Sequence, residues 1–151
     1  MNGRLNVTDK FAAILSWILV VIWMAVIFYF SSQPAPVSND LSQNVTKVIL
    51  KGVSNIYDIE VNCAYEYVHN LNHIVRKLGH FTEYFVLALL VMNAFRQSGV
   101  EKFKLCIYSL FLCVLYAISD EFHQLFVPGR AGQVNDVFID SLGAILGIFI
   151  Y

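Results

Sequence analysis

The residues of this chain that can do chemistry recur at helical spacing. Lys77, His80, Glu83 and Tyr84 follow i, i+3, i+6 and i+7, which is one face of a helix. Asp120, His123 and Gln124 follow i, i+3 and i+4, with Glu121 beside them. Asp136 and Asp140 lie four apart, and Gly143 and Gly147 continue their face. Five of the eleven acids (Glu83, Asp120, Glu121, Asp136 and Asp140) belong to this set, with Lys77 and Arg130 as the cations at hand.

Such a set supports several chemistries. As a binding pocket it would use Lys77 and Arg130 to meet phosphate or carboxylate. As an acid–base site it would use His80 and His123, tuned by Glu83 or Asp120. As a metal site it would combine His80, Glu83, Asp120 and His123 around a divalent ion, since imidazole and carboxylate suit Zn²⁺ or Mn²⁺. The spacing His80-x-x-Glu83 is not the His-Glu-x-x-His pattern, so no metal ligand set stands out. The same groups can also relay protons in a transporter. The plain alternative is a set of buried ion pairs that holds helices together. His69 and His73 read as solvated or interfacial.

The elements that must position these residues are apolar. The chain has 151 residues and is 58% hydrophobic but only 14% charged, against about 25% charged in soluble domains. That much apolar surface needs lipid as its solvent. The formal net charge of -1 gives no basic field for nucleic acid. Three cysteines without a Cys-x-x-Cys pair argue against a disulfide scaffold or a thiolate metal site, and Cys106 and Cys113, within an apolar run, read as small packing hydrophobes.

Four apolar runs imply an all-α polytopic membrane protein in a single domain over residues 1–151. The expected spans are about 11–30, 77–95, 105–124 and 135–151. The first run has 20 residues without a charge, longer than a signal-peptide core, and reads as a retained spanning helix. The later runs are short when counted as purely apolar, about 14 and 15 residues for 105–118 and 137–151. A hydrocarbon core of ~30 Å needs about 20 helical residues, so these helices must carry polar residues across. Counted from the opposite ends at ~1.5 Å per residue, His80, Asp120 and Asp136 all lie roughly 22 Å deep. Glu83 and Asp140 lie roughly 18 and 16 Å deep. Ser31, Ser32 and Gln33 end the first helix on the same side. Charges at such depth face a bundle interior or a wet cavity.

Arg4 and Lys10, together with the basic connection from Arg96 to Lys104, place both termini in the cytoplasm. Residues 31–76 then lie outside. There Asp40 and Gln43 resemble a capping box. Leu41, Val45, Val48, Ile49 and Val53 form one apolar stripe, and Tyr65, Val68, Leu71, Val75 and Leu78 form another. Both fit helices on the outer leaflet or a cap on the bundle. Gly143-x-x-x-Gly147 admits a close helix neighbour. Pro128-Gly129 reads as a turn that ends the third helix and aims Arg130 back at the acids.

These residues resemble the VanZ family of bacterial membrane proteins. The resemblance rests on Phe30-Ser31-Ser32-Gln33, on Lys77-Leu78-Gly79-His80-Phe81-Thr82-Glu83-Tyr84 and on Ser119-Asp120-Glu121-Phe122-His123-Gln124. It continues through Pro128-Gly129-Arg130, Asp136-Val137 and Asp140-Ser141-Leu142-Gly143. Residues 34–76 match nothing in that pattern. The resemblance implies a multi-pass protein of the bacterial cytoplasmic membrane with a cell-envelope role. Family members are similar to the protein that raises resistance to the lipoglycopeptide teicoplanin. The expected function is resistance or envelope-lipid handling through a polar pocket at the outer leaflet. The expected partners are the bilayer and a lipid-linked envelope precursor or lipoglycopeptide. The alternative is a membrane enzyme acting on an envelope lipid or cell-wall precursor. A homo-oligomer is compatible with both.

Overall fold

The computed structural model describes residues 7–54 and 64–151, without the side chains of 41, 47, 49–54 and 64–70. The described residues are all-helical. Their order is α1 (Val7–Ser31), α2 (Ala35–Ser54), α3 (Ala64–Gln97), α4 (Lys102–Gln124) and α5 (Val134–Ile150). The readings of Arg4 and Cys63, and of the side chains of Leu41, Ile49, Val53, Tyr65, Val68 and His69, fall outside what is described.

Among the described residues, three helices are long and apolar enough to cross a membrane: Val7–Ser31, Leu71–Gln97 and Lys102–Gln124. Their surfaces are apolar. Leu15, Ile18 and Ile22 of α1 face outward, as do Phe111, Leu115 and Ile118 of α4. The interior is partly polar, with Ser16, Ser109, Asp120 and Asp140 buried. This inversion of a soluble protein's distribution is what a lipid solvent selects.

The central helix is α3, which α5 and α1 pack against most extensively. Small residues set the closest approach. A Cβ on Gly147 would stand 2.6 Å from the Phe85 carbonyl oxygen, and one on Gly143 would collide with the Phe81 carbonyl oxygen. The glycine pair therefore works as its spacing implies. Against α1, the Trp23 indole N–H donates to the Glu83 carbonyl at 2.9 Å, and Asn93 donates to Ser16 Oγ at 3.0 Å. The Tyr116 hydroxyl of α4 donates to the Met24 carbonyl at 2.6 Å. At the far end, Arg96 stacks over the Tyr151 ring, 5.1 Å from its centroid. Arg96 is thus a packing residue as well as a charged flank.

The segment between the first two spans departs most from expectation. Asp40 is not a helix cap, because α2 begins five residues earlier at Ala35. Pro36 fits that first turn, where its fixed φ suits the helix and its missing N–H costs nothing. The stripe containing Val45 and Val48 points outward, while Ser42 and Thr46 are buried. Their hydroxyls donate to the carbonyls four residues back, so the polar face of α2 can be buried. The stripe from Tyr65 to Leu78 is not a separate element. It is continuous with the spanning part of α3, which has no break at Gly79. Cys113 is buried as expected, but Cys106 is exposed on the outer face of α4.

Candidate functional site

The end of the bundle formed by Ser31 of α1, the middle of α3, the end of α4 and the start of α5 holds nearly all the polar side chains singled out above. They fall into two adjoining groups.

The first is a buried core. Asp120, Glu121 and Gln124 of α4 and Asp136 and Asp140 of α5 are all buried, Asp140 completely. Glu121 ties two helices together. Its Oε2 accepts the backbone N–H of Gln133, the residue that precedes α5, at 2.8 Å. Gln124 donates to Glu121 Oε1 at 3.1 Å and reaches Asp120 Oδ2 at 3.4 Å. From α3, His80 Nδ1 approaches Asp140 Oδ1 at 3.7 Å, too long for a hydrogen bond. Tyr84 is fully buried, and its hydroxyl has no hydrogen-bond partner. Among the described residues, His80, Asp120 and Glu121 each offer one atom within 4.8 Å of the others.

The second group lines a cavity of about 330 Å³ between α1, α2 and α3. Arg76, His80 and Glu83 face it from α3, and Ser31 from α1. Ser38 and Ser42 face it from α2, and Arg130 from the α4–α5 turn. Gly129 makes that turn possible, with φ of 75°. Arg130 does not pair with an acid. Its Nε donates to the Gln33 carbonyl at 2.9 Å and its two terminal nitrogens reach the Phe30 carbonyl and Gln124 Oε1. It thereby caps the exposed carbonyls at the end of α1, where a cation is favoured. Burial lowers its pKa from the ordinary value, as does Arg76, but a guanidinium remains charged.

His80 belongs to both groups. Glu83 and Arg130 belong to the cavity, while Tyr84, Asp120, Glu121, Gln124, Asp136 and Asp140 belong to the core. Two residues stand apart. Lys77 makes no ion pair or side-chain hydrogen bond among the described residues and does not line the cavity. His123 stacks on Phe28 of α1 with centroids 4.4 Å apart. Of the four residues first grouped as metal ligands, only His80 and Asp120 remain together, and Glu121 joins them instead of Glu83 and His123. Sequence reasoning missed Arg76, Ser38 and Ser42. The signal was present: Arg76, His80 and Glu83 follow i, i+4 and i+7, and Ser38, Ser42 and Thr46 follow i, i+4 and i+8.

A model of the VanZ/LLP1 family matches residues 16–151 of the chain. No curated protein and no solved structure matches it.

Proposed function

The chain belongs to the VanZ/LLP1 family, and we propose that it binds the anionic head group of a lipid-linked envelope precursor, or the anionic part of a lipoglycopeptide, in the cavity between α1, α2 and α3. One observation carries this reading. Two guanidinium groups, Arg76 and Arg130, line a single cavity with three serines. Guanidinium is the side chain best suited to bidentate contact with phosphate or carboxylate. The volume of about 330 Å³ sits at the lower end of small-molecule sites, roughly 300–1,000 Å³. It suits a phosphate with part of a sugar, so only a fragment of a lipoglycopeptide would enter.

In this reading the whole chain is one membrane domain of the bacterial cytoplasmic membrane. It has four crossings, and α5 is the fourth. Its 17 residues span roughly 26 Å, which suits a crossing that keeps Asp136 at one boundary. Both termini are cytoplasmic, and the cavity opens at the outer leaflet. The outward apolar residues Val37, Val45 and Val48 of α2 support its immersion in that leaflet. The buried core of Asp120, Glu121, Asp136 and Asp140 orders the cavity wall through His80 and Gln124.

The test is teicoplanin susceptibility of a sensitive Gram-positive host expressing the protein. Wild type is compared with Arg76→Gln, Glu83→Gln and Asp120→Asn at matched membrane abundance. Wild type is expected to raise resistance, and all three variants are expected to lose it. Retained resistance in the Arg76 and Glu83 variants would remove the cavity from the function. No resistance with wild type would redirect the reading to an endogenous envelope lipid, tested with the same variants by lipid capture.

A further inference from the structure

We infer that His80, Asp120 and Glu121 form a binding site for one divalent metal ion, Zn²⁺ or Mn²⁺, in the wall of the cavity, with Asp140 as an outer carboxylate. Their ligand atoms lie within 4.8 Å of one another, on two helices and with two of the three residues buried. Metal–ligand bonds of about 2.0–2.2 Å put two donors of a tetrahedral ion roughly 3.3–3.6 Å apart, so the three side chains must draw together on binding.

An independent observation points to a ligand here. Asp140 is completely buried, yet neither of its oxygens accepts a hydrogen bond. Its Oδ1 faces His80 Nδ1 at 3.7 Å, and that nitrogen also lacks a hydrogen bond. Asp136 Oδ1 is in the same condition. Leaving a buried charged group without a partner costs several kcal/mol. The cations among the described residues do not meet this need by ion pairing. Among the described residues the ion pairs are His80–Asp140 and the surface pair Glu101–Lys104. Arg130 commits three of its five N–H groups to two carbonyls and to Gln124 and pairs with none of these acids. Among the described residues, four buried acids therefore stand close together with one imidazole beside them and no cation within ion-pair distance. A dication between His80, Asp120 and Glu121 offsets that charge.

The surroundings are those of a prepared site. Gln124 donates to both Asp120 and Glu121, and the Gln133 N–H holds Glu121 from the other side. Such outer contacts fix carboxylate orientation around metals. One imidazole with carboxylates selects Zn²⁺ or Mn²⁺ over the soft ions that thiolates prefer. His80 also lines the cavity, which gives the ion an entry path and an open coordination position facing whatever the cavity holds.

Metal uptake is measured with no lipid substrate added, so its failure is distinguishable from a failure of head-group binding. The full chain is purified in detergent, stripped with EDTA and dialysed against Zn²⁺ or Mn²⁺ separately. One ion per chain is expected, with a saturable rise in thermal midpoint. His80→Gln and Asp120→Asn are expected to weaken uptake at least about tenfold. Glu101→Gln, on the exposed surface, is expected to leave it unchanged. Because Asp120→Asn alters a buried contact with Gln124, Mn²⁺ EPR of wild type supplies a second reading, with nitrogen coupling from the His80 imidazole expected. A chain that stays folded with no ion bound at neutral and mildly acidic pH alike overturns the inference, as does Mn²⁺ bound without nitrogen coupling. In that case shared protons neutralise the acids.

Discussion

Gly143 of α5 lies directly against the Phe81 carbonyl of α3, so close that any Cβ at position 143 would collide with that oxygen. The oxygen belongs to a backbone that is itself helical, so neither side can yield cheaply. Gly143→Ala is therefore expected to destabilise the bundle by roughly 1–3 kcal/mol, the usual cost of overpacking. Gly79 lies on α3 with nothing within 4 Å of a Cβ. Gly79→Ala is expected to be neutral or stabilising by up to about 1 kcal/mol, from helix propensity alone. Thermal or denaturant unfolding in detergent compares the two, and equal effects would contradict the close approach.

Arg130 and Arg96 separate by what they touch. Arg130 joins the end of α1 to the buried core, whereas Arg96 stacks on Tyr151 at the opposite end. Arg130→Ala is expected to lower stability by roughly 2 kcal/mol or more, since hydrogen bonds to charged groups contribute about 1.5–3 kcal/mol. It is also expected to lower function more than Arg96→Ala. Arg130→Lys should restore little, because one ammonium cannot reach three acceptors in a planar fork. Functional loss of the same size in both alanine variants, at matched membrane abundance, would contradict this.

Neighbouring cations on α3 should behave differently. Arg76 lines the cavity and Lys77 does not. Arg76→Gln is expected to weaken binding of a short-chain polyprenyl phosphate about tenfold or more, or about 1.4 kcal/mol. Lys77→Gln is expected to change it less than about twofold. Native mass spectrometry of the detergent-solubilised protein reads both, and the reverse ranking would move the binding face.

Trp23 and Glu83 are joined through the backbone of Glu83, not its carboxylate. Trp23→Phe removes that donor while keeping most of the aromatic bulk. A loss of about 1 kcal/mol in unfolding free energy is expected, with binding at the cavity retained. Loss of binding at unchanged stability would mean that Trp23 positions the Glu83 side chain.

Much of this molecule was legible in the sequence because a bilayer leaves few solutions. A long apolar run in a bilayer satisfies its backbone as a helix, and the apolar runs read from the sequence are helical in α1, α3, α4 and α5, three of them long and apolar enough among the described residues to cross a membrane. The gathering of His80, Asp120 and Asp140 at one end of the bundle follows from a fixed rise per residue, and the Gly143–Gly147 contact from a fixed turn. Helix rotation was not legible. Arg76 and Lys77 are adjacent, about 100° apart around α3, and both belong to plausible polar faces. The packing of α1, α2 and α5 around α3 decides that Arg76 faces the cavity. The same packing turns the serine face of α2 inward and its valines outward, against the rule for soluble helices. Local sequence determined which residues share a face. Contacts between segments far apart in the chain decided which face points inward, because the orientation of each helix is set by the neighbours it must fit.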